Sequence, residues 1–174
     1  GSSYVGGFVG YTSVGYSSKY VTLSQNVATG MVANTGDYTG GFIGLVDALG
    51  GNRNYGISVT DFYAMGSVQG RAYVGGLVGQ ANLGSFTNAY STGMVATSNG
   101  SATIGATFGD VSNSYSGPVA SKVYYVTRDN IYYDSTNSGM TSDRSNGGGN
   151  ANAGATAKTT QELQGTLPTF NTQN

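Results

Sequence analysis

The chain has 174 residues, enough for one domain with a core of its own, and it contains no cysteine. Charged residues make up only 9% of the sequence, against about 25% in typical soluble domains. The formal net charge is −1 and no basic patch is visible, so we expect no nucleic-acid partner. No run approaches the roughly 20 apolar residues of a transmembrane helix, so we also expect no membrane insertion.

A glycine-rich block stands near the start of the chain and returns at regular intervals. Its copies read YVGGFVG at 4–10, YTGGFIG at 38–44, YVGGLVG at 73–79 and, in altered form, TIGATFG at 103–109. The copies start 34, 35 and 30 residues apart. Each carries bulky or β-branched residues bounded by glycine, which is typical of a short strand that ends in a turn.

The first block contains adjacent glycines in three of its copies. These pairs are Gly6 and Gly7, Gly40 and Gly41, and Gly75 and Gly76. Glycine is suited to two backbone situations, positive φ and close approach of another backbone segment. We expect the pairs to serve one of these two roles where one repeat crosses the next.

A second block alternates with the first. It reads SQNVATGMV at 24–32, TDFYAMGSV at 60–68 and TNAYSTGMV at 87–95, with a partial copy at 112–117. Two alternating blocks, the first of which recurs every 30–35 residues, are typical of architectures in which each repeat stacks on its neighbours. The sequence therefore predicts an all-β, repetitive β-solenoid of the parallel β-helix type with about four coils. In it, Tyr is expected to stack on Tyr, Phe on Phe and Val on Val.

The C-terminal part of the chain departs from the repeat. Residues 121–133 read SKVYYVTRDNIYY, which predicts an atypical cap at the end of the solenoid, with a hairpin turn at 128–130 as one interpretation. Thr159 and Glu162 match a capping box, so at most a short helix is expected in the last segment. We therefore divide the chain into a repeat region with its cap at 1–136 and a flexible, low-complexity tail rich in Gly, Asn and Thr at 137–174.

The first block resembles the GLUG repeat, and GLVG at 76–79 is its cleanest instance. The alternating block at 87–95 is similar to the companion element of that repeat. The segments IYYDSTNSG at 131–139 and AKTTQELQ at 157–164 are similar to those that close such arrays.

This resemblance covers about residues 1–165, with departures at Thr103, Ala106 and Tyr133. GLUG repeats occur in filamentous-haemagglutinin-like exoproteins of two-partner secretion. They also occur in Gram-positive surface proteins, including the non-catalytic parts of IgA-cleaving metallopeptidases. The resemblance implies part of a larger polypeptide that is secreted or displayed on the bacterial cell surface, and it implies no catalytic residues.

The residue types exclude most catalytic chemistry. The chain contains no His and no Cys, so it lacks the commonest general base, the commonest zinc ligands and the thiol nucleophile. Its acidic residues are scattered without a recurring pair, as is typical of turn and cap residues. Asp129, Asn130 and Asp134 offer oxygen atoms to a calcium ion, but no calcium-loop signature surrounds them. We expect no enzymatic activity, no metal site and no cofactor.

Tyrosines recur at equivalent positions of the repeats. One set comprises Tyr4, Tyr38 and Tyr73, and the other comprises Tyr63, Tyr90 and Tyr115. A row of stacked rings serves either as a core ladder or as an exposed platform for a sugar or a protein surface.

The strongest sequence candidate for a ligand-binding surface is the aromatic cluster near the C-terminal end of the repeats. It comprises Tyr124, Tyr125, Arg128, Tyr132 and Tyr133, and end-capping of the solenoid is the alternative role for these residues. The predicted function is a non-catalytic adhesin module that binds a host-cell glycan or protein receptor. The alternatives are a passive spacer that projects another domain and an accessory region of a surface peptidase.

Overall fold

The computed structural model describes residues 3–14, 20–48, 56–98, 103–111, 126–143 and 155–165. The strands of the first two repeats are β1 Val5–Gly6, β2 Val9–Val14, β3 Tyr20–Ala28, β4 Val32–Ala33, β5 Asp37–Gly40, β6 Ile43–Ala48, β7 Gly56–Ala64 and β8 Val68–Gly70. The strands that follow are β9 Ala72–Gly75, β10 Val78–Ala81, β11 Gly84–Ser91, β12 Val95–Thr97, β13 Ile104–Gly105, β14 Phe108–Val111, β15 Val126–Asp134 and β16 Thr156–Lys158. Within this described part, the helix is α1 Thr160–Gly165.

The strands form four parallel sheets, here called A to D. Sheet A has the order β1-β5-β9-β13, sheet B β14-β10-β6-β2, sheet C β16-β15-β11-β7-β3 and sheet D β12-β8-β4. From β1 to β15, consecutive strands therefore lie in sheets A, B, C and D in turn, and one repeat contributes one strand to each sheet. The predicted all-β architecture is confirmed, whereas the solenoid winding of these sheets stays a prediction.

The strand register confirms the alignment of the two sequence blocks. In sheet A, Gly6 lies opposite Gly40, and Gly40 lies opposite Gly75. In sheet C, Thr60 of the second block lies opposite Thr87. The partial copy at 112–117 lies outside the described residues, and the strand that pairs with β11 on that side is β15.

Two clusters of buried side chains hold the four sheets together. The first joins sheets B and C, and its phenylalanines contact one another across repeats. Ring centroids are 5.0 Å apart between Phe42 and Phe62, 6.3 Å between Phe62 and Phe86, and 5.0 Å between Phe86 and Phe108. The second cluster joins sheets A and D, where Val32, Val68 and Val95 follow one another in register. Since a buried side chain of this size stabilises the fold by about 1.5–3 kcal/mol, these rows dominate the packing.

Each long strand of sheet C contains one residue with positive φ. The four residues are Gln25, Asp61, Asn88 and Asn130, with φ values of 57°, 53°, 54° and 51°. In β7, Ile57 and Val59 are buried before this residue, and Phe62 and Ala64 are buried after it. The left-handed residue therefore shifts the alternation by one position, so that both halves of the strand direct apolar side chains to the core.

The adjacent glycines are required by close approach of neighbouring backbones. A Cβ atom on Gly41 would lie 2.1 Å from the carbonyl oxygen of Gly76, and a Cβ atom on Gly76 would lie 2.1 Å from that of Ala106. Both glycines have φ values that other residues also adopt, since the described glycines with positive φ are Gly84 and Gly139. Of the two expected roles, the structure therefore shows close packing.

The hairpin turn predicted at 128–130 is wrong. β15 is one strand that pairs with β11 from Gly84 opposite Val126 to Ser91 opposite Tyr133. Asn130 has positive φ, as its counterparts in earlier repeats do, and this bends the strand without reversing it.

The short helix near the end of the chain begins with the predicted capping box. The Glu162 amide donates a 3.2 Å hydrogen bond to the Thr159 hydroxyl, and the Thr159 amide donates a 2.7 Å hydrogen bond to Oε2 of Glu162. That backbone hydrogen bond is the main reason why the pKa of Glu162 is lowered. Just before the helix, β16 pairs with β15, so this segment adds a strand to sheet C. The domain boundary between 136 and 137 stays a prediction.

Among the described residues, no helix has the length and apolar character needed to cross a membrane.

Candidate functional site

A stack of tyrosine rings crosses three repeats and contains Tyr38 and Tyr73 of sheet A and Tyr4, which directly precedes β1. Ring centroids are 5.2 Å apart between Tyr4 and Tyr38, with planes 26° apart, and 4.8 Å apart between Tyr38 and Tyr73, with planes 3° apart. Tyr11 of β2 contacts Tyr4 at 5.2 Å with a tilt of 42°. Tyr4 and Tyr11 are 41% and 42% exposed, and the other two are half-buried. We call these four residues the tyrosine row.

The backbone places these rings outside the core. Tyr38 and Tyr73 have positive φ values of 57° and 52°. The next residue in each strand, Thr39 or Val74, is fully buried. A bulky residue is rarely found in this conformation, which costs about 1–3 kcal/mol and persists only where the surroundings enforce it. Such strain clusters at functional sites, which makes the row a candidate site.

Polar and charged groups flank the tyrosine row. The guanidinium of Arg71 forms an ion pair with Asp37, which is the residue before Tyr38 in β5. On the neighbouring sheet B, the Gln80 amide donates a 2.7 Å hydrogen bond to Asp110. The surface thus combines aromatic rings with hydrogen-bond donors and hydrogen-bond acceptors.

The same surroundings keep two of these groups protonated to higher pH than usual. The pKa of Tyr38 is raised by burial first, and then by Tyr73, Tyr4, Asp37 and Asp110. The pKa of Asp110 is raised by burial, which hydrogen bonds from Gln80 and the Val111 amide partly offset. The Tyr38 hydroxyl therefore remains a hydrogen-bond donor at neutral pH.

Three of the five residues predicted from the sequence as a ligand-binding surface lie in the described part of the chain, namely Arg128, Tyr132 and Tyr133. Tyr124 and Tyr125 lie outside the described residues. Tyr133 is only 1% exposed, and the side chain of Arg128 is only 5% exposed. Tyr132 is half-buried. Binding by this cluster as a whole stays a prediction.

Arg128 instead occupies a core position at the C-terminal end of the repeats. It lies opposite Phe86 in the register of sheet C. Its guanidinium carbon is 5.3 Å from the centre of the Phe108 ring, and its Nη1 atom is 3.9 Å from Oδ2 of Asp143. Burial lowers the pKa of Arg128, an effect that the nearby Asp143 carboxylate opposes. These contacts match the end-capping role that the sequence left as the alternative.

Two members of the second predicted set of tyrosines, Tyr63 and Tyr90, are stacked on sheet C. The rings of Tyr63 and Tyr90 are 4.7 Å apart with planes 6° apart. Tyr132 lies opposite Tyr90 in the strand register, whereas Tyr115 lies outside the described residues. Burial, and then the neighbouring Tyr63, raises the pKa of Tyr90 to about 12. This row is more deeply packed than the tyrosine row, because Tyr90 is 7% exposed.

Of the three residues considered for calcium, Asp134 has protein partners for both of its carboxylate oxygens. The Asp134 carboxylate accepts hydrogen bonds from the Thr160 hydroxyl at 2.7 Å and from the Thr136 amide at 2.8 Å. The Asn130 side-chain amide donates to Asn88 at 3.1 Å. In the part of the chain that the structure describes, no group of three His, Cys, Asp or Glu residues is placed to hold a metal ion. The expected absence of metal and of enzymatic activity stays a prediction.

Sequence reasoning found three members of the tyrosine row through their spacing but missed Tyr11. Tyr11 lies in β2 and reaches Tyr4 only because β1 and β2 belong to one repeat folded across two sheets. The positive φ of Tyr38 and Tyr73 carries no residue-type signal, because tyrosine is not enriched in that conformation.

Comparison with known proteins gives no match for this chain among family models, curated proteins or solved structures.

Proposed function

We propose that the chain is a non-catalytic β-solenoid module of a secreted or surface-displayed bacterial adhesin, and that it binds a glycan through the tyrosine row. The observation that carries this proposal is the stack of Tyr4, Tyr38 and Tyr73, with Tyr11 beside it, on an accessible part of sheet A. A bacterial surface location rests on the resemblance of the first block to the GLUG repeat.

The order of the strands supports the solenoid arrangement. Each repeat visits sheets A, B, C and D in turn, and every sheet is parallel. Parallel pairing between successive repeats brings equivalent side chains into rows, such as Phe8 on Phe42 with centroids 4.9 Å apart and planes 3° apart. A continuous helical winding of about four coils accounts for the recurring strand order through sheets A to D and for the rows of equivalent side chains.

The chemistry of the tyrosine row suits a sugar. Tyrosine offers apolar ring area together with a hydroxyl group and has few rotatable bonds, so little conformational entropy is lost on binding. Stacking on the rings above and below restricts these side chains further, which lowers the cost of binding. The Asp37 carboxylate and the Arg71 guanidinium beside Tyr38 provide an acceptor and donors for sugar hydroxyl groups.

A glycan array with the labelled chain tests this proposal. In the decisive variant, Tyr38→Asn and Tyr73→Asn are combined. Asparagine tolerates positive φ, so the backbone should be retained while both rings are lost. We expect binding to fall at least tenfold. The matched control is Tyr63→Asn, which removes a ring from the sheet C stack and should leave glycan binding unchanged.

Equal loss of binding in the control and in the double variant would contradict the assignment of the site to the tyrosine row. No binding of the unaltered chain to any glycan would contradict the glycan proposal.

A structural spacer is the second candidate, and the closed C-terminal end of the repeats favours it. Residues 134–143 fold against the last repeat, where the Val95 amide donates a 3.2 Å hydrogen bond to the Ser138 carbonyl. A rigid array that ends in its own cap is suited to holding other domains apart. If the folded chain bound neither a glycan nor a protein receptor, this result would support the spacer function.

A further inference from the structure

The two ends of the repeat array differ in how they are covered. At the C-terminal end, the Thr107 hydroxyl donates a 3.1 Å hydrogen bond to Asp143, and Met140 packs into the cluster that holds Val95. In addition, β16 covers the outer edge of β15. The chain itself therefore closes this end.

The N-terminal end is open. In the described part of the chain, β1, β2, β3 and β4 are the terminal strands of sheets A, B, C and D, so their outer edges have no neighbouring strand. Phe8 is 47% exposed, whereas Phe42 and Leu77, its counterparts in the next two repeats, are fully buried. We call the outer edges of β1 to β4, with Phe8, the N-terminal face.

Gly30 indicates what covers this face. Its counterparts are Gly66 and Gly93, and each of those must be glycine because of the preceding repeat. A Cβ atom on Gly66 would lie 2.0 Å from the Gly30 carbonyl oxygen, and one on Gly93 would lie 2.1 Å from that of Gly66. By contrast, a Cβ atom on Gly30 would meet no atom of the described residues within 4 Å. The first repeat therefore has glycine at a position where only a repeat stacked on the N-terminal face would require it.

Gly10 shows the same difference. A Cβ atom on Gly44 would lie 2.4 Å from the Gly10 carbonyl oxygen, and one on Gly79 would lie 2.4 Å from that of Gly44. At Gly10, the nearest atom is the carbonyl oxygen of Tyr4 in its own repeat, at 2.9 Å. Two independent positions thus lack the contact from a preceding repeat that their counterparts have.

We propose that the N-terminal face binds a further repeat of the same type, in parallel register. Such a repeat would place a backbone carbonyl against Gly30, as Gly30 does against Gly66, and an apolar side chain over Phe8. It would also pair with the open edges of the four sheets, which otherwise are a site for strand addition. This face borders the tyrosine row, because Tyr11 lies in β2, but the difference of Gly30 and Gly10 from their counterparts does not depend on the glycan proposal.

A second copy of the chain is a poorer occupant. Its C-terminal end, which has the complementary face, is covered by residues 134–143 and by β16. Two N-terminal faces related by a two-fold axis would bring strands together antiparallel, and the rows of equivalent side chains would not continue.

The test extends the full chain by one repeat, with a copy of residues 38–72 placed directly before Tyr4. Gly30→Ala is then compared in the original and extended chains by thermal unfolding. We expect an unchanged or slightly raised midpoint in the original chain and a midpoint lowered by about 5 °C or more in the extended chain. Gly66→Ala, at the original position, is the control and should lower the midpoint in both chains.

A second readout uses Phe8→Trp, because the chain has no tryptophan of its own. In the extended chain, the fluorescence of this tryptophan should move to shorter wavelength and its quenching by acrylamide should fall several-fold. Equal effects of Gly30→Ala in both chains, or a tryptophan that stays accessible after extension, would overturn the proposal. Dimerisation of the original chain that protects the tryptophan would also overturn it, in favour of a second copy.

Discussion

The side-chain amide of Asn88 donates a 3.0 Å hydrogen bond to Oδ1 of Asp61, one repeat earlier, and both residues have positive φ. Asn130 continues the row with a 3.1 Å hydrogen bond to Oδ1 of Asn88. Asn and Asp are the residues that best tolerate this conformation after glycine, so the same side chains serve both the bend and the hydrogen-bonded row. Gln25 occupies the same position in the first repeat without this advantage.

Gln25→Asn is expected to stabilise the chain by about 0.5–1 kcal/mol, because asparagine is more favourable at positive φ. The measurement is the free energy of unfolding from denaturant titration. Gln25→Val is the matched control and should destabilise the chain, because a β-branched residue is strained in this conformation. A Gln25→Asn variant less stable than the unaltered chain would show that the bend is not limited by the residue type.

Asp143→Ala is expected to destabilise the chain by about 3–5 kcal/mol, because it leaves the buried Arg128 guanidinium without its carboxylate. It also removes the acceptor for the Ala155 amide, which donates to Asp143 at 3.0 Å. Lys158→Ala is the control, since its exposed ion pair with Glu162 has the same 3.9 Å separation and should contribute less than about 1 kcal/mol. If both variants lost the same free energy of unfolding, measured by denaturant titration, this would argue against a capping role for Arg128.

Tyr90 is expected to make stability fall at alkaline pH. Its pKa is about 12 in the folded chain, against 10.0 for an unperturbed tyrosine. Because the folded value is the higher one, this contribution is complete below pH 10 and is lost as the pH rises through about 12. Tyr90→Phe keeps the stacked ring but cannot ionise, so its thermal midpoint should decline less steeply over this range. If the thermal midpoints of both proteins declined equally with pH, Tyr90 would be excluded as the group that causes the loss of stability at alkaline pH.

Asp134 is expected to make stability fall at acid pH. Burial opposes its ionisation, but hydrogen bonds from Thr160, Asn137 and Thr136 outweigh that effect and lower the pKa of Asp134 below 3.8. The contribution is therefore present above pH 3.8 and is lost as the pH falls through the lower folded value. Asp134→Asn should be less stable at neutral pH and should lose less stability on acidification. A variant with an unchanged acid dependence would show that other carboxylates control it.

The repeat was predictable because parallel pairing brings equivalent residues of successive repeats together. Spacing alone therefore aligned Tyr38 with Tyr73 and Gly40 with Gly75, as the strand register shows. The capping box at Thr159 was predictable because its hydrogen bonds join residues only three positions apart. In the candidate site, spacing identified the stacked tyrosines but not whether their rings lie in the core or outside it.

By itself, the sequence determined the all-β class, the repeat period and the equivalence of positions, since local residue patterns and their recurrence encode all three. Only the tertiary structure decided which side chains are buried. Arg128 entered the core because its strand continues the register of Phe86, and Tyr38 stayed outside because a positive φ turns the strand at that residue. Arg128 is buried and Tyr38 lies outside the core because of long-range strand register and backbone bending, which no local pattern of residue types specifies.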